Sequence, residues 1–445
     1  MRRIGFSLIG LAVSLSAPAA EPAAAARGKA ALEQTAFIPG FWPETAYDQA
    51  WKAWGIPAKP KEYAAAFRDR YGLHPAPYPN AGLPMGLRPA PVLFGKGLGI
   101  DCMTCHGGSI FGKSYVGLGN SSLDIHALFE ELYRASDMPA KPPFAFSNAR
   151  GTNEAGAFAV YLLGFRTPEL NLKADYTNLG LKDDACEDVP AWWLLKKKKT
   201  MYFTGGGDAE SVRSLMQFLM HPLTLPHDFA KYEPTFRDVR QYLLSIEAPK
   251  YPFPVDRTLA ERGERLFKVN CAKCHGTYGE DWTYPNKIIP LDEIGTDRKR
   301  FEAVGPAFGR AYDASWFAKE KAGWFLDGRP GIASAGYQAP PLDGVWATAP
   351  YFHNGSVPTL DGVLNSKARP RVFTRSFQTN AEDYDKVKVG WKVREVDPPA
   401  PDVSPFDRRK VYETSLPGRS NRGHTFGDGF SPDERRAVVE YLKTL

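Results

Sequence analysis

Asp101-Cys102-Met103-Thr104-Cys105-His106 and Asn270-Cys271-Ala272-Lys273-Cys274-His275 carry one frame twice: two cysteines three positions apart, with a histidine directly after the second. With 5 Cys and 8 His in 445 residues, random placement yields about one such frame in a thousand chains, so two of them have a cause. The frame is the attachment signal for haem c. Two thiols so spaced on a tight turn reach the two vinyl groups of one porphyrin as thioethers, and the adjacent histidine falls under the iron as proximal ligand. Two covalently bound haem c groups are therefore expected, one on Cys102, Cys105 and His106, the other on Cys271, Cys274 and His275; two local disulfides are the plainer alternative. Cys186, in Asp183-Asp184-Ala185-Cys186-Glu187-Asp188, is left over. Acidic neighbours raise a thiol's pKa, so it reads as an inert free cysteine.

Outward from the second frame the pattern is helical. Residues 256–270 place Leu259, Gly263, Leu266 and Phe267 on one face and run into Cys271. Gly263 admits a close crossing, and the expected partner is the C-terminal segment. There Ser431-Pro432-Asp433-Glu434 has a serine cap, a proline at the first helical position and a glutamate three residues on. Val438, Val439, Tyr441 and Leu442 follow as a buried stripe. Outward from the first frame the pattern is looser, because Gly95, Gly97 and Gly99 stand where a helix would precede Cys102. Segments 123–135, 209–219 and 236–246 have helical periodicity, Tyr251-Pro252-Phe253-Pro254 reads as a linker, and the proline-rich stretch 365–420 reads as a long surface excursion. The expected fold is mainly α: two cytochrome c-like helical domains, 85–250 and 254–445, each around one covalent haem, with long irregular loops.

Hydrophobic residues at 43% and charged residues at 24% fit a chain that buries a core, which removes disorder as the default. Gly at 41 and Pro at 38 predict many turns and disfavour a helix bundle. The net charge of +6 includes Arg2 and Arg3 in a segment read as removed, and no Lys/Arg stripe with interleaved aromatics points to nucleic acid. The run Lys196 to Lys199 reads as a solvated face. Met1-Arg2-Arg3, an apolar stretch from Ile4 to Leu15 and the small residues to Ala20 form a secretory signal peptide, 1–20, so a periplasmic or secreted bacterial protein is expected. No later apolar run reaches the ~18 residues of a membrane span. Residues 21–84 read as a leader and extension, flexible over the alanine-rich part 22–33.

Function turns on the sixth position of each iron, which Met or His fills or which stays open. All seven methionines lie at or before Met220, so none is available beyond the second frame. His353 and His424 are the histidines after His275; each is a candidate ligand, and a hydrogen-bonding loop histidine is the plainer reading. For the first iron the alternatives are His126, His74, or no protein ligand. Trp192, Trp193 and Phe203 are candidates for the surroundings of this iron, and a tryptophan between two haems would help electrons pass; core packing is the plainer reading for each. Gly205-Gly206-Gly207 lacks the strand before and the Lys-Ser/Thr after that phosphate binding requires.

Both frames, Trp192-Trp193 with Tyr202 to Gly207, Tyr251 to Pro254, Cys274-His275-Gly276-Thr277-Tyr278-Gly279, Gly295-Thr296-Asp297, Pro341 to Gly355, and Gly423-His424-Thr425-Phe426-Gly427 together resemble the di-haem c-type cytochromes. That group includes the bacterial cytochrome c peroxidases, and the resemblance is closest to the rubber oxygenases; it covers residues 85 to 445. It implies oxygen or peroxide chemistry at the N-terminal haem and a bis-histidine electron-transfer haem at the C-terminal one, with His424 matching the distal ligand. His353 matches a motif histidine near the haems that is not axial. Rubber oxygenases are considerably longer, so rubber cleavage is not carried over. His126 stands where the oxygenases leave the iron accessible, and its ligation would make this haem more like a resting peroxidase or an electron carrier. The peroxidase relatives hold a calcium ion between domains, but no acidic loop here supports one.

Two functions follow as expectations. One is a periplasmic redox protein that exchanges electrons with a partner protein; the other is a haem peroxidase or oxygenase acting on a small oxidant, peroxide or O2, at the first haem.

Overall fold

The final helix, Pro432–Leu442, starts as the sequence predicts. Ser431 Oγ accepts the Glu434 amide at 3.3 Å, the Glu434 carboxylate accepts the Ser431 amide at 2.9 Å, and Pro432 occupies a position that needs no donor. Its face of Ala437, Val438, Val439, Tyr441 and Leu442 is buried. This face lies on the helix Arg257–Asn270, whose start is capped by the Asp256 side chain accepting the Leu259 amide at 3.0 Å. The crossing falls on Gly263, where a Cβ would stand 1.9 Å from the Ala437 carbonyl oxygen. Ala260 and Phe267 are buried beside it, while Leu259 and Leu266 are half-buried. Because the helix runs directly into Cys271, this clasp positions the second frame.

The computed structural model describes residues 20–92, 95–136, 146–182, 185–320 and 335–445. Apart from Ala20, the expected signal segment lies outside the described residues, as do Asp183 and Asp184. Among the described residues no helix is long and apolar enough to cross a membrane.

Residues 22–33 are not a flexible leader. They lie in the helix Pro22–Gln34, which buries Ala24, Ala25, Gly28 and Leu32 against the helix Pro226–Ser245. A Cβ on Gly28 would stand 2.1 Å from the Asp238 carbonyl oxygen, and Arg27 holds the Asp238 carboxylate with two bonds of 2.7 Å. The alanines that suggested a leader are good helix formers whose small side chains let two helices approach.

The fold is also less helical than expected: the described residues form six small sheets. The chain enters the first frame from a strand, Lys96–Ile100, lying between Leu87–Pro91 and Trp42–Pro43. The strand uses its glycines, since a Cβ on Gly97 would stand 2.7 Å from the Trp42 carbonyl oxygen. A hairpin, Gly107–Ile110 with Lys113–Val116, leaves the frame. The stretch 365–420 is no plain surface excursion either. Val372–Thr374 pairs with Arg394–Glu395 and Val411–Glu413, and Phe373, Tyr384, Trp391 and Tyr412 are buried. Its aromatics, at nearly every strand, outweigh its prolines.

Two large hydrophobic cores and a small third one around Phe373 and Tyr412 result among the described residues, and the two large ones exchange chain. Phe308, Tyr312 and Phe317, which follow the second frame, join Leu128, Phe129 and Met216 in the first core. Ile110, Leu118 and Trp193, which precede it, join Phe267, Trp346 and Val438 in the second.

Substituting Gly263→Ala is expected to push the two helices apart and destabilise the protein by roughly 1–3 kcal/mol. Gly429→Ala, where nothing lies within 4 Å, should change stability by less than ~0.5 kcal/mol. Urea denaturation followed by circular dichroism measures both.

Candidate haem-binding site

The two frames fold alike. Each makes one helical turn, Met103–His106 and Ala272–His275, in which the histidine amide donates to the carbonyl of the first cysteine at 3.0 Å, His106 to Cys102 and His275 to Cys271. The turn puts the cysteine pair, three positions apart, on one side of it. Each imidazole then spends one nitrogen in the same way. His106 Nδ1 donates to the Pro190 carbonyl at 3.1 Å, and His275 Nδ1 to the Pro340 carbonyl at 2.8 Å. A carbonyl oxygen only accepts, so the proton sits on Nδ1 and Nε2 presents its lone pair, the form in which histidine binds a metal. Burial pushes His106 down to about 4 and lowers His275 as well, which keeps both rings neutral at pH 7. No two cysteines are joined in a disulfide. Burial raises Cys102 and Cys105 to about 12 and Cys271 to about 11, far from the reactive thiolate range. The spacing of both pairs on a single helical turn fits covalent attachment of a porphyrin.

Of the two histidines beyond His275, the fold brings one to it. The rings of His275 and His424 face each other with centroids 6.3 Å apart and planes at 57°. A metal–imidazole bond is about 2 Å, and each ring centre lies about 1.1 Å behind its nitrogen, so an ion shared by two imidazoles separates their centres by about 6 Å. The pair therefore fits one iron. His424 and Gly423 have left-handed backbones, φ +45° and +76°. The His424 amide donates to Ile294 O at 2.7 Å, and a Cβ on Gly423 would stand 2.2 Å from the Gly295 carbonyl carbon. Burial lowers His424 to about 4.

His353 sits elsewhere. Its ring stacks on Tyr337 at 4.1 Å and meets the edge of Phe203 at 6.1 Å. Its carbonyl accepts the Asp188 amide at 2.7 Å, while Nε2 is buried without a hydrogen-bond partner. Burial lowers it to about 3.

At the first frame the ring against His106 is that of Trp192, stacked at 4.8 Å and 27°. Gly117 braces both residues, its amide donating to His106 O at 2.7 Å and its carbonyl accepting the Trp192 amide at 2.8 Å. Trp193 is buried, and its indole N–H donates to Asp343 O at 2.8 Å. His126 is in the first turn of the helix Ile125–Ala135, with Nε2 3.7 Å from Glu130 Oε2. His74 Nε2 donates to Asn120 Oδ1 at 3.2 Å, and burial lowers the ring to about 4. Among the described residues, no histidine ring faces His106 as His424 faces His275.

Three features lie outside what sequence reasoning identified. Arg300 and Glu187, both buried, pair at 2.9 Å, and Glu187 exchanges backbone hydrogen bonds of 2.9 and 2.8 Å with Asn153, whose side chain bonds Cys105. The lysine run is not a solvated face. Lys197 reaches Asp343 Oδ1 at 2.7 Å and lies over Tyr278 and Trp282 at 4.6 and 4.7 Å, and burial lowers Lys198 to about 8. Arg369 donates to the backbone around His424. No local spacing signals any of these, since each joins distant segments. Cys186 is buried, 3.8 Å from Ser147 Oγ, and Gly205, at φ +66°, turns the chain between two short strands.

Residues 336–374 match the family described as RoxA-like, cytochrome c-like. The match lies between the second frame and His424 and includes Tyr337, Trp346 and His353. A cytochrome c-like segment carries haem c, and its function class is redox. The chain is similar to the uncharacterized protein y4iM of Sinorhizobium fredii, 33% identical over 239 residues, covering 46% of this chain and 53% of that protein. It is likewise 29% identical over 262 residues to the uncharacterized protein y4iJ of the same organism, covering 45% of this chain and 41% of that one. The chain thus spans about half the length of the curated relatives it matches.

Removing one partner of the Arg300–Glu187 pair leaves a buried charge uncompensated. Glu187→Ala is expected to cost roughly 3–5 kcal/mol, read as a lower denaturation midpoint. The double variant Glu187→Leu/Arg300→Met should recover a large part of it.

Proposed function

We propose that the chain is an exported di-haem c-type cytochrome, periplasmic or secreted, that moves electrons between two covalently held haems. The haem c domains are 85–250 and 254–445, and the outside reactant is a redox partner protein or a small oxidant. The observation that carries this reading is the pair of identically folded frames, each with its imidazole proton committed to a proline carbonyl. Haem c supplies one-electron chemistry at iron, and the protein tunes it through axial ligand, hydrogen bonding and burial.

The residues divide the work. Cys102, Cys105, Cys271 and Cys274 hold the porphyrins as thioethers, and His106 and His275 are the proximal ligands. His424, facing His275 at 6.3 Å, completes a bis-histidine centre that stays six-coordinate and exchanges electrons without binding substrate. Trp192 and Trp193 link the centres. Trp192 stacks on His106, Trp193 donates to Asp343 O, and three residues back along the chain Pro340 O accepts from His275. One ring stack and two hydrogen bonds thus join one imidazole to the other.

A second reading, a peroxidase or oxygenase, rests on a separate observation. In this reading the sixth position at the first frame is the one that takes peroxide or O2, and electrons reach it along the tryptophan link. His353, with a buried Nε2 and close to Phe203 and Tyr337, belongs to the same interior.

Pyridine haemochrome analysis is expected to give two covalent haems per chain and one after Cys102→Ala/Cys105→Ala. One haem in the parent protein would refute the di-haem reading. In EPR of the oxidised protein, His424→Ala should turn one low-spin signal high-spin. A first haem that responds to cyanide or peroxide favours the second reading, and one inert to both favours pure electron transfer. Trp193→Leu should slow electron exchange between the haems in stopped-flow reduction without changing either resting spectrum.

A further inference from the structure

We infer that Arg369 is the positioning residue that holds His424 in ligand geometry, by tying the loop 421–424 to the helix Leu360–Leu364. This rests on the reading of His424 as second axial ligand of the His275 iron. A guanidinium has five N–H bonds, and here each meets a backbone carbonyl. Nε donates to Gly362 at 2.8 Å, Nη1 to Asn421 at 2.6 Å and Gly423 at 2.7 Å, and Nη2 to Val363 at 3.3 Å and His424 at 3.2 Å. Three of the five acceptors are in the His424 loop, including its own carbonyl.

The loop needs such a clamp. It has no helix or strand of its own, and two consecutive residues sit in the left-handed region, which for a histidine is rarely populated. One side is fixed by the His424 amide on Ile294 and by Gly423 against Gly295. Arg369 fixes the other. Its side chain is buried, lies 4.9 Å from the centre of the Phe352 ring, and that ring is 5.8 Å from His424. Among the described residues no carboxylate pairs with it within 4 Å; Asp428 acts on it only at longer range, so its direct partners are carbonyl dipoles and a ring face. Were general stability its role, a carboxylate partner would serve; five carbonyls, three in the His424 loop and two in the helix beside it, specify a shape. Lysine cannot replace it, because an ammonium has three donors and no planar fork.

The test uses the full chain with both haems bound, the first haem serving as internal reference. In low-temperature EPR, Arg369→Gln is expected to convert most of the second haem's low-spin signal to high-spin while the first haem's signal stays unchanged. Millimolar imidazole should restore it by filling the vacated position. Arg369→Lys keeps charge and bulk, and should give a mixed population with the same response to imidazole. A low-spin signal unchanged in the lysine variant overturns the inference, and so does an unchanged signal in the glutamine variant; if the glutamine variant does not accumulate, the lysine variant decides alone. His424→Ala is run alongside. If its second haem stays low-spin, the ligand assignment fails, and that outcome is distinct from failure of the clamp.

Discussion

Each of two histidines donates its Nδ1–H to a proline carbonyl, and the arrangement of this protein follows from that commitment. A histidine with a free choice of tautomer is a poor ligand, because water and side chains compete for either nitrogen. Here the choice is made by backbone oxygens that cannot donate, at 3.1 and 2.8 Å, in a buried setting that keeps the rings neutral. The prolines are held in turn. Pro190 lies two residues before Trp192, which stacks on His106, and Pro340 three residues before Asp343, which Trp193 and Lys197 both bind. The same short segments that orient the two histidines therefore also join the two frames.

The two sites differ in what lies across from the proximal ring. At the second, a loop in left-handed backbone brings the ring of His424 to 6.3 Å from that of His275. At the first, Trp192 and the buried Arg300–Glu187 pair surround the frame, with no second imidazole opposite His106 among the described residues. The two frames thus sit in unequal settings, and the interleaved cores keep these settings in fixed relation: each core takes side chains from the far side of the second frame.

The resemblance to di-haem c-type cytochromes singles out His424, and the structure sets its ring 6.3 Å from that of His275. Residue counting left His353 and His424 as alternatives, and the fold separates them, stacking His353 on Tyr337 instead. Elsewhere the sequence misled. Alanine-rich residues 22–33 read as a leader because alanine has little side chain to signal packing, yet small size is what lets that helix press against Asp238. Glycines before Cys102 argued against a helix, correctly, but gave no hint of the strand that replaces it. Prolines in 365–420 masked the aromatics that build a small sheet there.

What the sequence determined by itself is local. The frames, the Ser431 capping box and the Gly263 crossing involve residues within a turn or two of one another, or a single glycine whose lack of a side chain has one meaning. Their geometry is set by covalent spacing, so the letters suffice. What the tertiary structure decided is which carbonyl receives each imidazole proton, which histidine faces which, how Trp193 reaches Asp343 and where Arg369 spends its donors. These contacts join residues 84, 65, 150 and about 55 positions apart. Most of them end on backbone oxygen, which every residue carries, so no residue type in the sequence could have announced them.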